Sequence, residues 1–250
     1  MEILKFRLNG KTAFFKNPEV NTYLYFSYGN IHKVAILGIL GAILGLKGYN
    51  QQGSKEKYPE FYGKLKDIKI AIAPLNEKGM FNKKIQSFNN SVGYASGEEG
   101  GNLIVKEEWL EDVDWEIYIL VDKSKVVQEL KDRLLNRKFK YNIYLGKNDH
   151  PANIMEVELL KGEEVKDIIS EVDSLFLKGE AETYSLDEID DLFDDEKEIV
   201  QVFRYDERLP YALHEQSNQY QLKNFIFTND KQKINGDNFV KINDKIIQLF

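Results

Sequence analysis

The 250-residue sequence contains no cysteine. That removes disulfides, thiolate zinc sites and thiol nucleophiles, and argues against a secreted, disulfide-stapled chain. It also lacks a run long enough to span a bilayer. The most apolar stretch, Val34–Leu46, is 13 residues long and holds three glycines, whereas a transmembrane helix needs roughly 18 or more apolar residues. The opening MEILKFRLNG lacks the basic-then-apolar order of a signal peptide, so a cytoplasmic protein with no membrane partner is expected. Phosphate and dinucleotide fingerprints are missing too, because GILGAILGLKG fits neither G-x-x-x-x-G-K-[ST] nor G-x-G-x-x-G. His150 and His214 stand isolated without ligand spacing. The acidic run Asp187–Glu198 lacks the D-x-[DN]-x-[DN]-G order of a calcium loop. No cofactor and no metal are expected, and no internal repeat, heptad or low-complexity tract is present.

What is there begins with enough apolar content, 42%, to bury a full core as one large domain or two small ones. Charge is unevenly placed. Residues 1–97 carry 14 Lys and Arg against 6 Asp and Glu, while residues 151–200 carry 4 against 17. A basic binding face on the first half fits this asymmetry, and so do ordinary surface lysines beside one solvated acidic segment.

The chain is organised around Asn30–Gly48. Read as a helix, it has Asn30 as N-cap, a polar first turn in His32 and Lys33, and Gly48 as its stop. Gly38, Gly41 and Gly45 share one side, where a partner element can approach closely. Upstream, Ile3–Leu8 alternates as a half-buried strand, and Asn9-Gly10 is a hairpin signal after which Lys11–Phe15 folds back or extends the edge. Ile68, Ile70 and Ile72 mark a second strand ending at Pro74, and Trp115, Ile117 and Ile119 a third. Ser124 caps a second helix with Val127, Leu130 and Leu134 as its buried stripe. Lys140–Leu145 reads as strand four, with Ile154–Leu160 a further strand.

Strand, helix, strand, strand, helix, strand is the split βαβ order of a ferredoxin-like, RRM-like unit, whose open sheet face reads single strands in RNA-recognition modules. The expected fold is therefore α+β: a βαββαβ domain over 1–160, an acidic connector over 161–198 and a small β-rich region over 199–250. In the connector, Ser185–Phe193 reads as a short helix with a Ser185/Glu188 capping box. Leu75–Asn102 is too long for a tight hairpin turn. It carries Lys78, Lys83 and Lys84, the amides Gln86, Asn89 and Asn90, and the rings Phe81, Phe88 and Tyr94. Cations, amides and rings are what a single-stranded RNA contact uses; a mobile polar loop is the plainer alternative.

Several stretches resemble one family. FFKNP, SYGNIHKVAILGILGAILGL, YPEFYGKL, YNIYLGKNDHPANI and RLPYAL are similar to the Cas-five family of CRISPR-associated proteins, in the type I-B variant. The resemblance implies a ferredoxin-like domain of the RAMP kind with an extended β-hairpin thumb at 75–102. It implies a Cascade subunit in antiviral defence that clasps the 5′ handle of CRISPR RNA and caps one end of the effector. Its neighbours would be the backbone subunit and the large subunit, with target DNA met only through the assembled complex. The expected RNA-contacting residues are Lys16, Asn17, Asn21, Tyr28, His32, Lys33, Lys83, Lys84, Gln86, Asn89, Asn90 and Tyr94, with an RNA phosphate at the start of the organising helix. One branch of the family, in type I-C systems, cuts precursor RNA with a tyrosine, a lysine and a histidine. Tyr28, His32 and Lys33 are the nearest candidates for such a metal-independent endoribonuclease; a non-catalytic role is the expectation here.

Overall fold

The computed structural model describes residues 1–20, 22–183 and 201–250 as a mixed α+β fold dominated by strands. Asn21, the expected helix at 185–193 and the acidic run at 187–198 lie outside the described residues. In chain order come β1 (Glu2–Ala13), α1 (Lys33–Leu44), α2 (Glu60–Leu65), β2 (Ile70–Pro74), β3 (Asn82–Asn89), β4 (Ile104–Val121), α3 (Lys125–Leu135) and β5 (Asn153–Lys161). They form one antiparallel sheet in the order β2-β4-β1-β5, with β3 paired to the first half of β4.

Alternation along these strands sorts the residues into two faces. Leu4, Phe6 and Leu8 of β1 sit opposite Ile119, Ile117 and Trp115 of β4, and together they pack against α1 and the Val127, Leu130 and Leu134 stripe of α3. At roughly 1.5–3 kcal/mol for each large apolar side chain fully buried, this layer is the main source of stability. Ser124 Oγ accepts from the Val127 amide at 3.4 Å and caps α3, as its sequence predicts.

One alternative is decided and two expected boundaries are corrected. After Asn9-Gly10 the chain extends rather than folds back: Asn9 pairs with Asp114 and Gly10 with Val113 inside one strand that runs on to Ala13. The glycine serves close packing instead, since a Cβ there would lie 2.7 Å from Leu145 Cδ1 and 3.0 Å from the Pro151 carbonyl oxygen. Lys140–Leu145 is not a strand. The Lys140 and Tyr141 amides donate to the Ile43 and Ala42 carbonyls at 3.1 and 3.2 Å, closing the C-terminal end of α1, and the fourth strand of the sheet is β5. Finally, α1 is shorter at both ends than expected. Its N-cap is His32, whose Nδ1 accepts from the Ala35 amide, and its stop is Gly45 at φ 80. Asn30 is taken up elsewhere: its Nδ2 donates to the Gly79 carbonyl at 3.0 Å, and its Oδ1 accepts from Trp115 Nε1 at 2.9 Å.

The other sheet face is covered, which corrects the expectation of an open, RRM-like surface. Ile3, Ala71, Ala73 and Tyr118 pack there against β11 (Phe239–Ile242) and β12 (Lys245–Gln248) and the following Leu249. Lys5 and Arg7 also lie on this face but are consumed locally, Lys5 by Glu116 and Glu158 and Arg7 by Asp114 and Glu156. Glu116 accepts from Tyr118 Oη at 2.6 Å and from Lys245 Nζ at 2.7 Å. Glu116→Gln is expected to lower unfolding stability by about 1–3 kcal/mol, the range for a charge-assisted hydrogen-bond group, read as a lower denaturant midpoint at unchanged m-value.

The described part of the segment read as an acidic connector, 161–183, folds as well. It contains β6 (Glu163–Glu164), β7 (Ile168–Leu177) and β8 (Ala181–Thr183). β7 and β8 pair with β10 (Tyr220–Ile234), which also carries β9 (Arg204–Leu213), while β6 extends the β11–β12 pair. Nor is the C-terminal part an appendage. Leu209, Leu213 and Phe225 join the core around α1, and Phe250 exchanges both backbone hydrogen bonds with Ile70, at 2.9 and 3.1 Å. Among the described residues no helix is long and apolar enough to cross a membrane.

Candidate nucleic-acid interface

The thumb is the hairpin of β3 and the first half of β4, in register from Asn82 opposite Glu111 to Asn89 opposite Ile104. Where it leaves the main sheet, Asp112 has φ 48, and the Lys11–Asp112 pair drops out of a β1–β4 register that continues unshifted on either side. The segment before α1 adds to its base: the Tyr25 amide donates to the Lys106 carbonyl, and the Glu108 amide to that of Tyr25, both at 2.9 Å. Lys16 Nζ lies 3.8 Å from the centroid of the Tyr25 ring, and Asn17 Oδ1 accepts from the Glu19 amide.

The side chains expected to contact RNA are distributed differently from their sequence reading. Lys83 is paired with Glu108 at 2.9 Å and Lys84 with Glu111 at 3.9 Å, so the thumb cations are offset across the hairpin. Gln86 donates to the neighbouring Ser87 carbonyl, and Asn89 binds Asn102 and Ser91. Asn90 is exposed, with its amide donating to the Leu103 carbonyl. Of the three rings, Phe81 is buried against Trp115 and Phe88 lies under Lys147 Nζ, leaving only Tyr94 open to solvent, at 86%. Ile85, Val92, Leu103 and Ile104 are exposed beside it, a more apolar thumb than composition implied.

Tyr28, His32 and Lys33 are all buried, which corrects the expectation of a phosphate site at the start of α1. Lys33 turns away from the histidine: its Nζ donates to the Phe250 carbonyl at 3.1 Å and lies 4.9 Å from the Tyr211 ring centroid. Burial lowers its pKa to about 8. Tyr28 Oη has no hydrogen-bond partner among the described residues, and burial pushes the phenol above its ordinary value. Tyr28, His32 and Tyr220 meet edge to face, the two tyrosines 5.5 and 5.4 Å from the imidazole. Burial alone pulls His32 down to about 3. The ring is therefore neutral, and because Nδ1 accepts the Ala35 amide, its proton resides on Nε2.

This has a consequence for stability. The unfolded chain takes up the His32 proton below about 6.5 and the folded chain only near 3. The contribution of neutral His32 is therefore complete above pH 6.5 and is lost as pH falls from 6.5 towards 3, by up to about 1.4 kcal/mol per pH unit. His32→Asn keeps an N-cap acceptor without a titrating ring, so its thermal midpoint is expected to fall less steeply than wild type between pH 6 and 4 in calorimetry.

His32 also lines a cleft of about 770 Å³ on the outer side of α1. Val34, Ala35, Gly38, Ile39, Ala42 and Leu46 make its floor at helical spacing. A Cβ built on Gly38 meets nothing within 4 Å, so that glycine opens onto space. Tyr49, Tyr141, Tyr144 and Tyr220 form the walls, with the amides of Asn50, Gln51 and Asn142 between them. These groups come from four separate segments, and no sequence spacing announces them. One edge is held by the turn at Tyr144–Pro151, where Gly146 at φ 90 lets the backbone pass Phe14 and Lys147 pairs with the buried Glu107 at 2.9 Å.

Two solved structures are similar in fold. One is titled a CRISPR RNA-guided surveillance complex, at 9% identity and TM-score 0.54 over 91% of this chain and 90% of that one. The other is a CRISPR protein from Archaeoglobus fulgidus, at 8% identity and TM-score 0.52 over 99% and 98%. The sequence profile described as CRISPR-associated protein (Cas_Cas5) matches residues 3–221, and the chain belongs to that family. No curated protein matches it.

Proposed function

We propose that this chain is the non-catalytic subunit of a type I-B Cascade effector that holds the 5′ handle of CRISPR RNA and caps the backbone filament. Its neighbours on this reading are the backbone subunit and the large subunit, and target DNA is met only through the assembled complex. The observation that carries the proposal is the thumb: a hairpin extended from a β2-β4-β1-β5 antiparallel sheet, the ferredoxin-like order, in a chain of the Cas-five family. Exposed Tyr23 and Tyr94, at 90% and 86%, offer rings to stack on bases, and exposed Lys16 stands beside the thumb base. The non-catalytic part rests on separation: cleavage needs a base and a cation at one phosphate, whereas His32 faces the cleft over α1 and Lys33 is buried and turned away to the Phe250 carbonyl.

The test is reconstitution with the backbone subunit and synthetic CRISPR RNA. Truncating the handle should release this chain, while truncating the distal spacer should retain it; equal retention on both RNAs would contradict the proposal. Repeat RNA incubated with stoichiometric protein in EDTA should stay intact.

A further inference from the structure

The cleft over α1 has a lining that selects its ligand. None of its residues is charged, since His32 is neutral. A carboxylate, phosphate or ammonium would enter it without a countercharge, which is costly. Four tyrosines and three amides instead suit a neutral, flat ring with hydrogen-bonding edges. The volume lies within the roughly 300–1,000 Å³ of small-ligand pockets.

One group inside it lacks a partner. The His32 ring is 97% buried by its 3% exposure, and its Nδ1 is committed to Ala35. Nε2 carries the proton and makes no hydrogen bond with the described residues, while the ring lines the cleft. Nε2 opens onto the cleft rather than into sealed core, so a ligand acceptor there would take the place of water as its partner. Outside the cleft, Lys47 and Lys140, each next in sequence to a lining residue, are exposed and suit the phosphates of a chain whose base is turned inward.

We propose that this cleft holds one unstacked nucleobase of a single-stranded RNA, sandwiched among the tyrosines and read at an acceptor atom by His32 Nε2–H. The assignment rests on the RNA-binding reading above and adds to it a site away from the thumb. A base on the RNA and a free nucleotide share this chemistry, so the experiment has an arm for each.

Gly38→Val adds bulk to the floor, where a Cβ meets nothing within 4 Å, and Tyr141→Leu removes an exposed wall. In the reconstituted complex, abasic nucleotides are placed one at a time along the handle. One position is expected to weaken retention by about tenfold or more, the scale of a lost base–aromatic stack. Gly38→Val and Tyr141→Leu should each cause a similar loss on intact RNA and add nothing at that position. His32→Asn should weaken binding only when the base at that position carries an acceptor on the edge presented. If wild type retains the handle but neither cleft variant changes affinity at any position, the cleft assignment is overturned and handle binding stands. If wild type does not retain the handle, the underlying reading fails, and dialysis against AMP, CMP, GMP and UMP decides the cleft. Binding of a free nucleotide that Gly38→Val abolishes would replace the RNA base by a mononucleotide, and no binding would overturn the site altogether.

Discussion

Gly146→Ala is expected to be severely damaging, lowering stability by more than about 3 kcal/mol and leaving little soluble protein. Two independent costs add. The residue sits at φ 90, a conformation that costs an L side chain roughly 1–2 kcal/mol. A Cβ built there would also lie 1.8 Å from the Phe14 carbonyl oxygen and 2.7 Å from its carbon. Both are backbone atoms held by the hydrogen bond from the Phe14 amide to the Leu145 carbonyl at 3.1 Å, so relief requires the turn to leave β1. Circular dichroism and hydrogen exchange read the outcome: loss of protection at Phe14 and Leu145, with unfolding at a lower temperature. A well-folded Gly146→Ala protein with a wild-type midpoint would show that the turn is not packed as described.

Gly41 and Gly38, one turn apart on α1, should respond to alanine in opposite directions. At Gly41 a Cβ would come within 2.6 Å of Phe61 Cβ, an atom fixed close to the backbone of α2. Gly41→Ala must therefore push α2 outward or shift α1, at a cost of about 1–3 kcal/mol for overpacking. At Gly38 nothing lies within 4 Å, and replacing a mid-helix glycine by alanine stabilises by roughly 0.5–1 kcal/mol. Denaturant midpoints of the two variants, measured side by side, should straddle wild type. If both fall, the cleft above Gly38 is closed in solution.

That contrast also shows what the sequence could convey. The stretch holding Gly38, Gly41 and Gly45 is a helix as read, over Lys33–Leu44, but the close approach expected along all three glycines is met within the helix at Gly41 alone. The spacing cannot say that Gly41 takes Phe61, that Gly45 is the cap at φ 80, or that Gly38 faces open space, because each depends on chain far away in sequence. The same limit explains the site. His32 and Lys33 read as an exposed polar turn until β9 and β10, more than 170 residues onward, cover them. The thumb lysines read as free cations until the hairpin register sets Glu108 and Glu111 beside them. Seventeen acids over 151–200 hid β7, although Val172, Leu175 and Phe176 are buried there. Local signals fared better: the Ser124 cap, the α3 stripe and the alternation of Trp115, Ile117 and Ile119 all lie where the pattern puts them.

On the proposed reading, the covered sheet face and the local ion pairs of Lys5 and Arg7 leave the thumb, its base and the cleft as the surfaces for RNA. Binding there should draw on stacking more than on phosphate neutralisation, so its salt dependence should be shallower than the first-half charge excess suggests.

The most direct test of the central claim is to co-express the chain with its backbone subunit and a CRISPR array, purify through a tag on this chain, and sequence the 5′ ends of the bound RNA. The account predicts one dominant 5′ end carrying the repeat-derived handle, lost when residues 82–111 are replaced by a short turn. Recovery of RNA with scattered 5′ ends, or of the same handle without the thumb, would contradict it.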